Sequence, residues 1–267
     1  MNALAAKARK LLRVLLVPLW RRALLRRGVA AGVEHIQALR QLGVVRTMVD
    51  IGANRGQFAL AARHCFPEAR IVSFEPLPEP ATAYRAVFAD DPRARIIEAA
   101  VGPEAGESLI HVSARDDSSS LLPITARQSE LFPGTSEVST ATIRVGRLGD
   151  YVSAELIEAP ALLKLDVQGF ELKALAGCEE FLELFDWVYV ECSFVELYAG
   201  QALADEVIAW LRERGFVLAG VYNMTHDGHG KAIQADFLFR RTGSLRAQEP
   251  NRSEKERACT ALGLGNP

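Results

Sequence analysis

From residue 46 onward, short apolar runs alternate with stretches of helical periodicity, and few architectures satisfy that alternation. The runs fall at 47–51, 70–74, 95–101, 161–165, 187–191, 216–221 and 237–239. Several are continuously apolar and bounded by Gly, Pro or Asp, the pattern of strands buried on both faces of a parallel sheet. Between them, Phe58, Ala61, Ala62 and Cys65 recur at helical spacing after Gly56. Val207, Ile208, Trp210 and Leu211 do so before Gly215, a C-terminal stop. The pattern predicts a doubly wound α/β fold. It breaks at 103–145, where GESLIHVSA and STATIRV read as two extra strands. The Ser-, Thr- and Pro-rich stretch between them reads as a long loop, which inside a compact domain is a functional cover or a disordered insertion.

With 267 residues, 49% of them hydrophobic, the chain can bury a core without disulfide or metal staples. Its four cysteines, Cys65, Cys178, Cys192 and Cys259, lie far apart and form no CxxC, which disfavours a zinc site or a disulfide framework. The formal net charge of −2 conceals a split. Residues 1–33 hold eight basic side chains and no acid, which leaves 23 basic against 33 acidic residues in 34–267. An acidic body repels phosphate, so nucleic acid is not an expected partner.

In the basic arm, LLRVLLVPLW (11–20) is interrupted by Arg13 and Pro18 and falls short of a membrane span. It also lacks the small-residue cleavage site of a signal peptide. Leu11, Leu12, Leu15, Leu16, Leu24 and Leu25 can line one side of a broken helix. Such a helix either packs on the body or a partner with its charges outward, or lies in an anionic membrane surface. The expected organisation is a helical arm at 1–33, a main domain at 34–242 and a polar, flexible tail at 243–267. The expected location is the cytoplasm, with the arm as a point of peripheral contact at the inner membrane surface.

The most informative segment is MVDIGANRGQF at 48–58, an apolar strand that ends in Asp50, then Gly52, Asn54 and Gly56, then a helix. Glycines let the backbone turn sharply and approach a ligand, and the helix start presents free N–H groups. The next strand ends in Glu75, placed to accept the hydroxyls of a ribose. The middle glycine of G-x-G-x-x-G is missing, which demotes a nicotinamide dinucleotide. Asp50 at the loop entrance disfavours a pyrophosphate and suits a cationic ligand such as a sulfonium amino acid.

With these features in order, the chain resembles the FkbM family of S-adenosylmethionine-dependent methyltransferases. The resemblance rests on D-x-G-A-N-x-G at 50–56, Phe74-Glu75-Pro76, Ser119-Ser120-Leu121 and LKLDVQGFE at 163–171, and spans roughly 44–241. It implies the class I methyltransferase (Rossmann-like) fold, a seven-stranded sheet with the last strand antiparallel. It also implies methyl transfer from S-adenosylmethionine, typically to a hydroxyl oxygen, with a sugar, glycolipid or polyketide as acceptor. One departure stands out. The family usually reads D-x-E-G-x-E, and Gln168 occupies the place of the first Glu.

By that resemblance, Asp50, Gly52, Asn54 and Gly56 face the methionine part of the cofactor, Glu75 binds its ribose, and Ala100 and Val101 flank the adenine. Asp166 ends a buried strand and is either an active-site group, orienting the cofactor amine or accepting the substrate hydroxyl, or a helix cap. Glu171, on the first helical turn, serves the site or the helix. Ser119, Ser120, Gln168, Glu191 and His229 are substrate-facing candidates. Candidate bases are Asp166 and the histidines of NMTHDGHGK, His226 first, where His226, Asp227 and His229 form a proton relay, a weak metal site or a solvated polar loop. His35, His64 and His111 read as surface positions. No metal is assigned. A different reading is a catalytically inactive cofactor-binding module held at a membrane or partner, for which Gln168 is the best support.

Overall fold

The computed structural model describes residues 3–243, with side chains from residue 10 onward. Beyond Gly243 the expected tail lies outside the described residues. The strands are β1 (Thr47–Ile51), β2 (Arg70–Phe74), β3 (Ala94–Ile97), β4 (Ala100–Val101), β5 (Gly106–Ser113), β6 (Glu137–Gly146), β7 (Ala161–Leu165), β8 (Trp187–Ser193), β9 (Phe216–His226) and β10 (Ala232–Arg241). The helices are α1 (Ala3–Leu16), α2 (Pro18–Arg27), α3 (Ile36–Leu39), α4 (Gln57–Cys65), α5 (Pro78–Val87), α6 (Ala126–Leu131), α7 (Glu171–Gly177) and α8 (Ala204–Glu213).

Seven strands form one sheet in the order β3-β2-β1-β7-β8-β10-β9. β3, β2, β1, β7 and β8 pair in parallel, and β10 is antiparallel to both neighbours. This is the expected class I arrangement. β1 and β7 are buried at all five positions, so their near-continuous apolar sequences follow from helices covering both faces. Their carboxyl ends, with those of β2 and β8, share one edge, where ligands bind in open α/β sheets.

Three elements differ from the sequence expectation. The run at 95–101 is two strands, since the chain leaves the large sheet after Ile97 and Ala100–Val101 joins β6 and β5 in a second, three-stranded sheet. The long loop contains a 3-10 turn at Asp116–Ser118 and the helix α6, whose N-cap Thr125 accepts from the Gln128 N–H. The last two strands extend well past their apolar centres because they pair as a hairpin from Phe216↔Arg241 to His226↔Ala232.

The arm packs on the body, the first of its two expected dispositions. α1 and α2 break at Pro18, the first residue of α2, and Gly28 ends α2 in the left-handed conformation that glycine tolerates (φ +69). Val14, Trp20 and Ala23 are buried in one core with Met48, Ala59 and Leu60, and the Trp20 indole N–H donates to the Leu60 carbonyl at 2.9 Å. The buried face is Val14, Trp20 and Ala23 with Leu24 partly buried against them, while Leu11, Leu12, Leu16 and Leu25 of the leucine stripe point outward. Among the described residues no helix is long and apolar enough to cross a membrane.

Candidate active site

β1 hands the chain to a tight turn whose glycines have distinct tasks. A Cβ on Gly52 (φ +78) would stand 1.8 Å from the Asp166 carbonyl oxygen, so only glycine lets the loops after β1 and β7 touch. Gly56 (φ +93) presses on Tyr84 and Phe88 of the α5 region instead, and it does not line the cavity that Gly52 and Asn54 line. Asn54 takes the left-handed conformation (φ +47), its Oδ1 accepts the Arg55 N–H at 2.7 Å, and its own N–H donates to Glu75 Oε2 at 3.0 Å. The Leu77 N–H donates to Glu75 Oε1 at 2.8 Å. Burial raises the Glu75 carboxyl to about 7 against the pull of these two N–H groups. Each oxygen keeps a lone pair for a further donor.

Glu75, Gly52, Asn54, Ala100, Val101, Ser119 and Asp166 line a cavity of about 220 Å³. The structure thus gathers most of the expected cofactor residues, with Ala100 and Val101 on the second sheet rather than the end of the third strand. Ser119 of the covering segment lines this cavity, not the neighbouring one. Asp50 departs from its expected place. It is wholly buried behind the loop and pairs with Lys164 Nζ at 3.0 Å, while Lys164 also donates to the Gly52 carbonyl at 2.9 Å. Burial alone would lower the Lys164 pKa, but Asp50, with Asp166 at 4.0 Å, raises it, so the ammonium stays charged. Asp50 therefore neutralises Lys164 and leaves the charge of Asp166 and Glu75 to face a cationic ligand.

A second cavity of about 320 Å³ adjoins the first. His35, Asp166 and Gln168 line both. Gln168 Nε2 donates to Asp166 Oδ1 at 2.6 Å and to Glu191 Oε2 at 3.0 Å, and its Oε1 accepts from the Tyr198 hydroxyl at 2.7 Å. Gln234 donates to the other Glu191 oxygen at 2.8 Å. Burial, reinforced by Asp166 and Asp236, pushes the Glu191 carboxyl well above the usual range.

Other expected site residues serve the scaffold. Ser120 is buried, donates to the Gln168 carbonyl at 2.6 Å and accepts from the Leu122 N–H, so it anchors the covering segment. Glu171 Oε1 accepts from the Val167 and Gly169 N–H groups and shapes the turn after Asp166 without lining either cavity. His226 and His229 are exposed on the β9–β10 hairpin and line neither cavity. Asp227 there accepts from the His229 and Lys231 N–H groups, which makes it the pivot of a tight turn rather than a relay.

Two groups escaped the sequence reading. His35, expected at the surface, has 19% side-chain exposure and sits 3.3 Å from Asp236 Oδ2. Asp236 interrupts the apolar run of β10, and a carboxylate in the middle of a buried strand was the available signal. Burial would raise its pKa, yet bonds from His35, Asn223 and Tyr189 bring it below the usual carboxylate range.

A doubly wound sheet with one reversed strand, carrying a buried carboxylate after β2 and a polar cavity at the strand ends, defines a class I S-adenosylmethionine-dependent methyltransferase. The chain belongs to the FkbM family, since the profile described as the methyltransferase FkbM domain matches residues 50–218. Among curated proteins it is 29% identical over 160 residues to the 2-O-methyltransferase NoeI of Sinorhizobium fredii, covering 58% of this chain and 66% of that protein. It is 30% identical over 193 residues to the 31-O-demethyl-FK506 methyltransferase FkbM of Streptomyces tacrolimicus, covering 63% and 72%. It is 26% identical over 212 residues to methyltransferase sdnD of Sordaria araneosa, covering 68% and 78%. The cofactor of this class is S-adenosylmethionine. The first cavity suits it in donor chemistry, with a two-oxygen acceptor for a ribose, small apolar walls for a flat ring and the Asp166 carboxylate to face a sulfonium.

Proposed function

We propose that the chain methylates a hydroxyl oxygen of a small, hydroxyl-rich acceptor such as a sugar ring, free or on a lipid, seated in the second cavity. The observation that carries this reading is the wall of that cavity, where Gln128, Gln168, Asn223 and Gln234 stand beside Glu191 and Asp236, with Phe132 as the aromatic neighbour. Alternating amides and carboxylates match the donors and acceptors of a polyol and leave a flat apolar polyketide poorly served. Two of the similar proteins are O-methyltransferases by name, which agrees.

When bound, the cofactor supplies a methyl group on a positively charged sulfur. Glu75 takes the ribose hydroxyls, Ala100 and Val101 pack on the adenine, and the turn at Gly52 and Asn54 faces the methionine part. Asp166, which lines both cavities, holds the cofactor amine and the acceptor in line. Alignment and exclusion of water are the main work of such a site. The test is transfer of labelled methyl groups to a panel of monosaccharides, glycolipids, phenols and amines. Label in an ether of a sugar hydroxyl is expected, and label confined to amines or phenols overturns the reading.

The arm supplies a location. Leu12, Leu16 and Leu25 are exposed beside exposed Arg13, Arg21, Arg22, Arg26 and Arg27. Apolar side chains flanked by arginines suit the surface of an anionic bilayer, at about 1 kcal/mol per basic residue. The full chain should sediment with phosphatidylserine vesicles at low salt, and a Leu12→Ser/Leu16→Ser/Leu25→Ser variant should not. Equal sedimentation of the two removes the membrane role.

A further inference from the structure

We propose that His35, oriented by Asp236, is the general base that accepts the proton of the acceptor hydroxyl, so that the segment preceding the family-matched region completes the active site. The inference rests on the O-methylation reading above.

His35 closes a 3-10 turn, Val33–His35, ahead of the matched 50–218. The turn is pinned where the Gly32 N–H donates to the Gln57 carbonyl at 2.9 Å. A Cβ on Gly32 would stand 2.8 Å from His35 Cδ2, so glycine there makes room for the ring. The imidazole packs edge-on against Phe58 and Tyr189, with ring centroids 5.1 and 5.8 Å away. It borders both cavities.

The hydrogen bonds select the tautomer. His35 Nδ1 faces Asp236 Oδ2 at 3.3 Å and the Tyr189 hydroxyl oxygen at 3.1 Å. Asp236 Oδ2 already accepts from the Tyr189 hydroxyl at 2.9 Å and from Asn223 Nδ2 at 2.6 Å, which keeps it an anion. Asn223 Nδ2 also lies 3.4 Å from Nδ1 but donates to Asp236 at the shorter 2.6 Å, so a donating Tyr189 and an ionised Asp236 call for a proton on Nδ1. Nε2 is then left with a lone pair. Glu34, Asp117 and Asp166 line both cavities with the ring, and Arg115 and Glu191 line the second, while Lys164, 5.4 Å from the Phe58 centroid, is shared by Asp50 at 3.0 Å and Asp166 at 4.0 Å. The competing carboxylates are less free. Asp166 is held by Gln168 and Lys164, and both oxygens of Glu191 are held by Gln168 and Gln234.

In the step, the acceptor O–H bond breaks and its proton passes to His35 Nε2. The oxygen lone pair forms the new C–O bond, and the C–S bonding electrons stay on the departing thioether sulfur. The imidazolium is stabilised by Asp236 until it returns the proton to water.

The experiment combines His35→Gln and Asp236→Asn in the full chain with an acceptor found above. Expected for His35→Gln is a fall in kcat of about 100-fold or more, with acceptor KM and S-adenosylhomocysteine affinity changed by less than about threefold. Independently of turnover, nitrogen NMR of the wild-type imidazole should show a protonated Nδ1 and a bare Nε2, and Asp236→Asn should shift that balance. A His35→Gln variant with wild-type kcat, or a wild-type ring protonated on Nε2, overturns the base alone. A wild type that methylates no hydroxyl overturns the O-methylation reading and the base with it.

Discussion

Gln168 donates its Nε2 amide to Asp166 Oδ1 at 2.6 Å. The same nitrogen reaches Glu191, and the Tyr198 hydroxyl fixes the other end of the amide, so Gln168 is locked as a donor between two carboxylates. This gives the chain's departure from the usual family residue a physical sense, because a glutamate there would set a third carboxylate against the first two. Glu191, already raised by burial, would rise further.

The Gln168→Glu variant is therefore expected to lose about 1–3 kcal/mol of stability at pH 8 and less at pH 5, where protons relieve the repulsion. Urea unfolding at the two pH values checks this, and an equal loss at both would show that the repulsion is not the cause.

Burial raises the Glu171 carboxyl to about 7, although the Gly169 and Val167 N–H groups oppose the rise. The folded state then holds this proton more tightly than the unfolded chain does. The resulting stabilisation is complete below about 4.5 and is lost as pH rises through about 7. In Glu171→Gln the amide oxygen still accepts both N–H groups and nothing ionises. The variant should exceed wild type at pH 8 by up to ~3 kcal/mol and match it below pH 5. Glu75 titrates in the same window, so some slope should persist. Denaturant midpoints across pH 4.5–8.5 measure the difference, and parallel curves for the two proteins would refute the assignment.

The arm is part of the core. Trp20→Ala removes a buried indole and leaves the Leu60 carbonyl without its donor. The expected cost is about 3–5 kcal/mol in global stability. A loss under about 1 kcal/mol in thermal or urea unfolding would mean that the arm detaches independently.

The strands at 47–51, 70–74 and 161–165 were legible because two-sided burial writes itself as an unbroken apolar run. β9 was legible only at its start, since as an exposed edge strand it carries no such run. α6 was missed although Thr125 and Gln128 have cap spacing, because six residues give too little periodicity. Glu75 and Asp166 were legible from their places at strand ends. The inward turn of His35 was not, because its partners Tyr189 and Asp236 lie more than 150 residues away along the chain and meet it only through the strand order. Asp50 stands at the strand end where the sequence puts it, but the sequence does not say which carboxylate Lys164 pairs with.

Glu75 is proposed as the ribose acceptor of the cofactor site. Calorimetry of the full chain with S-adenosylhomocysteine, using wild type and Glu75→Gln, tests it most directly. Wild type should bind one equivalent, and the variant, which loses a charged acceptor, should bind about tenfold or more weakly. Equal affinity would remove the ribose assignment alone, and a wild type that binds no S-adenosylhomocysteine would contradict the cofactor site itself.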